Sequence, residues 1–225
     1  HDMIKNILNL GDAALYCDFG QDVNKKINSN VIKYYKKIRK LNIKSINNIT
    51  PSYNKLIISF DLNQINFDEL KDIIENIHID NEESSSTKKI EIPVCCDEPY
   101  SLDLSELEKK LNLEKEKILD KFFKNEYFCY MTGFIAGMPF LGDINENLRA
   151  KRLETPRVKV PKGSIGITEQ FTNIYTFESP GGWNIIGNTP LNVFDSSKEV
   201  EPNLINPGDT VTFKRISKDD YLNYE

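Results

Sequence analysis

Groups able to do chemistry concentrate in three stretches of the C-terminal half. In Ser179-Pro180-Gly181-Gly182-Trp183 a double glycine can turn two amide N–H groups into one concavity, as an anion nest or oxyanion hole requires. The single tryptophan of the chain follows at once as a candidate pocket wall. A tight hairpin turn closed by a buried indole fits the same residues. Across residues 152–164, Arg152, Arg157 and, in a regular strand, Lys159 project to one side and can hold a carboxylate or phosphate, arginine in bidentate fashion. Exposed charges on an edge strand are the alternative there. In residues 133–142 (GFIAGMPFLG) glycines bring backbone close to a neighbour, and Phe134, Met138 and Phe140 can line an apolar wall or fill a bend.

What is missing narrows the chemistry. The chain has no G-x-x-x-x-G-K-[ST] loop, no G-x-S-x-G elbow and no H-E-x-x-H pair. Apart from His1 the only histidine is His78, at the end of a predicted helix, where a surface residue is the expectation. Catalysis must therefore use carboxylates, Arg, Tyr, hydroxyls or backbone amides, or be shared with a partner. Cys17, Cys95, Cys96 and Cys129 show no C-x-x-C or disulfide-framework spacing and read as reduced, partly buried thiols, with no metal site.

The elements that must position these groups follow two different patterns. Hydrophobic residues at 39% and charged residues at 28% are those of a globular protein. A net charge of -5, with lysines interleaved among acids, excludes a nucleic-acid binder. No stretch has the roughly 20 apolar residues of a membrane-spanning helix, and residues 4–10 are too short and interrupted for a signal peptide, so the expected location is a reducing cytoplasm. Residues 1–80 read as a small α+β domain. A strand at 13–19 precedes an amphipathic helix carrying Val23, Ile27, Val31, Tyr34, Ile38 and Leu41. Strands at 44–49 and 55–61 follow, then a helix opened by the capping box Asn66-x-x-Glu69, with 90–95 as a possible last strand. Residues 81–89 lack apolar anchors and read as a linker.

Residues 90–225 read as an all-β domain with two short leading helices. Asp103 with Glu106 caps the first, and Asn112 starts the second. Beyond Tyr127, Gly and Pro punctuate short β-type runs at 127–131, 164–168, 183–186 and 210–216, which predicts a closed or nearly closed β-structure.

These stretches, in this order, resemble the KipI/PxpB family, also called allophanate hydrolase subunit 1 or the first carboxyltransferase-like subunit. Its signature of G-F-x-P-G-F-P-Y-L, P-R-x-x-V-P-x-G-S-V-G-I, S/T-P-G-G-W-x-L-I-G-x-T-P and L-x-P-G-D-x-V-x-F is matched at 133–141, 156–167, 179–190 and 205–213. Asp12-Ala13-Ala14-Leu15, Phe19-Gly20 and Pro51-Ser52-Tyr53 resemble the first domain of the family. Phe122 stands where the family often has His, Ala136 where it has Pro, Phe171 where it usually has Gln, and Asn173 where it has Gly.

The resemblance implies a cyclophilin-like β-barrel behind the α+β domain. It also implies three roles: the PxpB component of an ATP-dependent 5-oxoprolinase opening 5-oxoproline to glutamate, a urea carboxylase or allophanate hydrolase component, or an inhibitor of a sensor histidine kinase. In the first role the partners are a second carboxyltransferase-like subunit (PxpC/KipA-like) and a third subunit (PxpA-like), with a small amide or lactam as substrate. Arg157 or Arg152 would hold the substrate carboxylate, and the Gly181 and Gly182 amides with Tyr175 or Thr172 would hold the carbonyl or its phosphorylated form. Phe140, Ser179 and Trp183 would line the pocket. No cofactor motif is present, so ATP would be used by the assembled complex.

Overall fold

Period-two burial along Ala14–Asp18 and Lys55–Phe60 creates a sheet with one apolar face, and two amphipathic helices cover that face. The structure, a computed structural model, describes residues 3–80 and 87–225 and divides between Ser86 and Thr87 into two units. The linker expected over 81–89 lies outside the described residues for 81–86. Lys88 is already tied to the second unit, donating from its backbone N to Asp209 Oδ1 at 3.1 Å.

The first unit runs β1 (Asn6–Asn9), β2 (Ala14–Asp18), α1 (Lys25–Leu41), β3 (Ile46–Pro51), β4 (Lys55–Phe60) and α2 (Phe67–Glu75). Its sheet is antiparallel in the order β1-β2-β4-β3. Leu15, Cys17, Leu56, Ile58 and Phe60 meet Val31, Tyr34 and Ile38 of α1 and Leu70 and Ile74 of α2 in one core. The capping box forms at the start of α2: Asn66 Oδ1 accepts from Glu69 N at 2.8 Å, and Asn66 Nδ2 donates to Glu69 Oε1. Strand β1 is an addition to the sequence pattern. It is exposed along most of its length, so burial periodicity does not mark it.

The second unit continues with β5 (Lys89–Cys95), α3 (Leu104–Leu111), α4 (Lys115–Lys124), β6 (Glu126–Thr132), β7 (Pro139–Gly142), β8 (Arg157–Val160), β9 (Ser164–Thr168), β10 (Phe171–Ile174), β11 (Ser179–Gly181), β12 (Asn184–Asn188), β13 (Thr210–Ile216) and α5 (Lys218–Leu222). Among the described residues β10-β7-β6-β13-β5-β12-β9 close into a barrel, and β8 pairs with β11 as a separate ribbon. Strand β5 belongs to this barrel and not to the α+β domain, because its seven residues pair in parallel with β13, from Thr210↔Lys89 to Ile216↔Cys95. Two helix starts also differ from the sequence reading. Asn112 ends α3 in a left-handed conformation (φ 50°) and does not open α4, which follows Glu114. Asp103 precedes α3 but makes no side-chain bond to it.

Alternation sorts the barrel strands. Ile165, Ile167, Ile174, Ile186 and Leu141 face an interior shared with Phe122, Tyr127 and Phe213, where the Phe122 ring stacks on Phe213 at 5.0 Å. Burying each such side chain contributes about 1.5–3 kcal/mol. The intervening residues face outward, and there the β8–β11 ribbon lies over them.

Candidate functional site

Cross-strand register builds the outer face row by row. Ile185 of β12 opposes Gly166 of β9, Gly166 opposes Asn173 of β10, and Asn173 opposes Phe140 of β7. The strand direction continues past β10, since Tyr175 N donates to Ser164 O at 2.9 Å and Gly163 N to Tyr175 O at 2.7 Å. Tyr175 therefore shares the face of Asn173. Tyr175, Ile185, Met138 and Val160 form one buried cluster, with Phe140 and Ile135 packed against it. Val160 and Ser179 are directly opposed in the ribbon and point the same way. Trp183 meets Phe140 edge to face at 5.7 Å, and its Cβ would lie 2.9 Å from a Cβ at Gly166.

Two glycines make this packing possible through space and not through backbone twist. A Cβ on Gly166 would stand 2.5 Å from Asn173 Oδ1, and a Cβ on Gly181 would run into the Tyr175 hydroxyl. Neither Gly181 nor Gly182 has a positive φ, so the alternating right- and left-handed backbone of an anion nest is not formed. The motif is not a hairpin turn either, because Ser179–Gly181 is the strand β11. Gly182 accepts from Leu153 N at 2.7 Å and has no close neighbour that would exclude a Cβ.

The arginines part company. Arg157 is committed to Asp103 in a bidentate pair, Nη1 to Oδ2 at 2.5 Å and Nη2 to Oδ1 at 2.6 Å, with the carboxylate buried. The same Oδ2 accepts from Ile185 N at 2.7 Å, and Asp103 N donates back to Ile185 O at 2.8 Å. Asp103 spends its oxygens here, which is why they do not cap α3. The pair holds Arg157 charged, raising its pKa, and removes it as a free receptor for a substrate carboxylate. Arg152 stays exposed, with its Cβ 4.0 Å from a Cβ built on Gly182. Lys159 is likewise exposed.

Burial raises the pKa of the Tyr175 phenol. The Asn173 carboxamide, the Trp183 backbone amide and the charges of Arg152 and Arg157 pull it partly back. At neutral pH the phenol is a proton-bearing donor facing two cations, suited to polarising a carbonyl or binding an oxyanion.

Thr172 is not part of this group. It pairs with Ile167 and Leu141 on the interior face, and its Oγ1 donates to Gly166 O at 2.7 Å. The structure thus brings Tyr175, Phe140, Ser179, Trp183, Gly181 and the Arg157–Asp103 pair together, sets Arg152 and Gly182 at the edge and places Thr172 on the far side of the sheet. Phe134 of the GFIAG segment turns out to solvent, 79% exposed, while Met138 and Phe140 face the cluster.

Phe122 is interior core. Phe171 packs edge to face on Tyr130 at 5.6 Å, beside Gly142. Near it Tyr130 Oη and Gln170 Nε2 both donate to Asp143 Oδ1, at 3.1 and 2.5 Å, a polar group that no sequence motif marked. Cys17, Cys95, Cys96 and Cys129 are free and buried, and burial pushes the Cys17 and Cys96 thiols up to about 12. Among the described residues no three His, Cys, Asp or Glu converge as a metal-binding set, and no helix is long and apolar enough to cross a membrane.

The sequence profile of the carboxyltransferase domain, subdomains C and D, matches residues 5–205. The PxpB-type subunit of the 5-oxoprolinase of Bacillus subtilis (strain 168) is 33% identical over 228 residues, covering 96% of this chain and 95% of that protein. The crystal structure of TTHA0988 matches with a TM-score of 0.82 at 28% identity over 91% of this chain, which spans 40% of that longer chain. The K. lactis urea amidolyase matches at a TM-score of 0.78 and 15% identity, over 98% of this chain and 16% of its own, a likeness of fold.

Proposed function

The chain belongs to the carboxyltransferase subdomain C and D family, in its KipI/PxpB branch, and from that premise we propose that it is a non-autonomous subunit of an ATP-dependent 5-oxoprolinase. The observation that carries this reading is the end-to-end match to a PxpB-type 5-oxoprolinase subunit, 96% of one chain against 95% of the other. The site chemistry supports it. Tyr175 supplies a protonated donor for the lactam carbonyl, Trp183 and Phe140 supply apolar walls, and Arg152 supplies an uncommitted cation for the carboxylate. Opening the ring adds water across the C–N bond, and nothing beside Tyr175 pairs a nucleophile with a base. That fits a site completed by a second carboxyltransferase-like subunit and a third subunit, with ATP handled by the assembly.

Mixing the chain with its candidate partner subunits, ATP and 5-oxoproline tests the reading. Glutamate release is expected to depend on the chain; undiminished release in its absence overturns the proposal. A second reading, a module that occupies the surface of a sensor kinase, draws on Phe134, an aromatic ring presented to solvent. It replaces the first if the chain binds and inhibits such a kinase and leaves glutamate release unchanged.

A further inference from the structure

Asn173 is fully buried, at 0% exposure, and neither its Oδ1 nor its Nδ2 meets a hydrogen-bond partner among the described residues. Its dipole reaches the Tyr175 phenol and lowers that pKa, but the two groups are not in hydrogen-bonding geometry. Two other asparagines on the neighbouring strand β12 behave differently. Asn184 Nδ2 donates to Lys151 O and Ile167 O, both at 3.0 Å, and its Oδ1 accepts from Lys110 Nζ at 2.8 Å. Asn188 bonds Lys162 O at 2.9 Å and Tyr221 Oη at 2.8 Å. Ser179 Oγ, under the ribbon on the same side, is also buried without a partner. Unpaired polar atoms thus gather around Tyr175, in a barrel that pairs its buried amides elsewhere. Such groups are costly to leave unmade, and a satisfied ligand complex is one way a fold retains them.

The kind of ligand follows from the carboxamide itself. It presents one acceptor and one donor side by side in a plane. Ring closure forces a lactam amide to be cis, so its N–H and C=O also lie side by side and match the carboxamide through two parallel hydrogen bonds. We propose that Asn173 is the specificity residue of this site, reading the cis amide of a five-membered lactam seated between Gly166, Phe140 and Trp183. This deepens the 5-oxoprolinase reading and rests on it. Gly166 leaves room for the carboxamide, since a Cβ there would meet both Asn173 Oδ1 and Trp183 Cβ. Trp183 covers this point, so a ring that enters must turn the indole away from Gly166. As the only tryptophan of the chain, Trp183 reports that movement by fluorescence.

The test is a titration of the full chain, alone and with its partner subunits, using 5-oxoproline and the corresponding lactone, in which a ring oxygen replaces the N–H. The wild-type protein is expected to bind the lactam at least about 10-fold more tightly than the lactone, because a site built around a substrate N–H rejects the analogue that lacks it. Asn173→Leu is expected to lose at least about 10-fold in lactam affinity and to bind the two rings alike, with an unchanged or higher melting temperature because an unpaired buried amide has been removed. Asn173→Ala, which adds no bulk, is expected to show the same loss of preference if the leucine variant does not fold.

Retained lactam preference in either folded variant overturns the inference and leaves the enzymatic reading standing. A wild-type chain that binds neither ring in any assembly overturns it at the binding step, and the glutamate assay then decides the enzymatic reading separately. A lower melting temperature with unchanged selectivity also overturns it, since Asn173 would then be structural.

Discussion

The barrel interior and the outer face beneath the β8–β11 ribbon are made from the same strands by alternation alone, yet they treat polar groups in opposite ways. On the interior side Thr172 Oγ1 bonds Gly166 O, and Tyr127 Oη bonds Phe122 O at 2.8 Å within a nest of aromatic rings. One residue further along β10, Asn173 and its neighbours under the ribbon hold unpaired amide and hydroxyl atoms next to a phenol and two guanidinium groups. The interior is organised for stability, with its hydrogen bonds closed. The outer face keeps bonding capacity open at the expense of stability, a trade that binding sites commonly make. Substitutions should therefore separate: interior changes should move the unfolding transition and spare ligand selectivity, and outer changes should do the reverse.

The largest effect is expected at Phe122. Replacing it with alanine opens a cavity between Phe213, Tyr127 and Phe123, and large aromatic truncations of this kind cost about 3–5 kcal/mol. Urea unfolding followed by Trp183 fluorescence should report that loss in the second unit, while the α+β unit, followed by helix circular dichroism in a separate transition, should be unaffected. If Phe122→Ala unfolds like the parent, the interior is not a stability reservoir.

The boundary between the two faces is tested at Asp103. Its carboxylate joins Arg157 of β8 to the Ile185 amide of β12, so Asp103→Ala leaves a guanidinium and a buried N–H without their acceptor. Breaking a fully buried pair costs about 3–5 kcal/mol; the Arg157 side chain is 30% exposed, so a smaller loss, roughly 2 kcal/mol, is expected. Adding Arg157→Met to Asp103→Ala should recover part of it, because the stranded charge is gone. No recovery in the double variant would show that the carboxylate matters only to Ile185. Glutamate release should fall in both, as the ribbon over Tyr175 loses its anchor.

Much of this architecture was legible from pattern alone, and the residues show where legibility ends. The strands Ser164–Thr168 and Thr210–Ile216 coincide with runs bounded by turn residues, and the Asn66–Glu69 box opens α2 because such signals are local. The allegiance of β5 was not local, since its partner β13 lies more than a hundred residues away in the chain. Asp103 has the residue type of a cap and sits at the right offset, but a bidentate arginine from a distant strand claims its oxygens. Asn173 was visible as a departure from the family pattern, though its unpaired state exists only in three dimensions.

The smallest effect is expected at Thr172, and it probes alternation directly. Thr172 and Tyr175 lie three residues apart, an odd spacing that puts them on opposite faces of a continuous strand. The backbone bonds of Tyr175 to Ser164 and Gly163 show that the strand geometry persists that far. Thr172→Val keeps the shape of the side chain and removes one buried hydroxyl whose partner is Gly166 O. The net contribution of such a bond is about 0.5–1.5 kcal/mol, part of it offset by the added methyl in an apolar interior. Unfolding should therefore shift by at most about 1 kcal/mol, while glutamate release in the reconstituted assembly stays within about twofold of the parent, a change worth under half a kcal/mol in barrier height. A large loss of turnover without a loss of stability would return Thr172 to the reacting group, and with it the idea that only one face of this barrel does chemistry would fail.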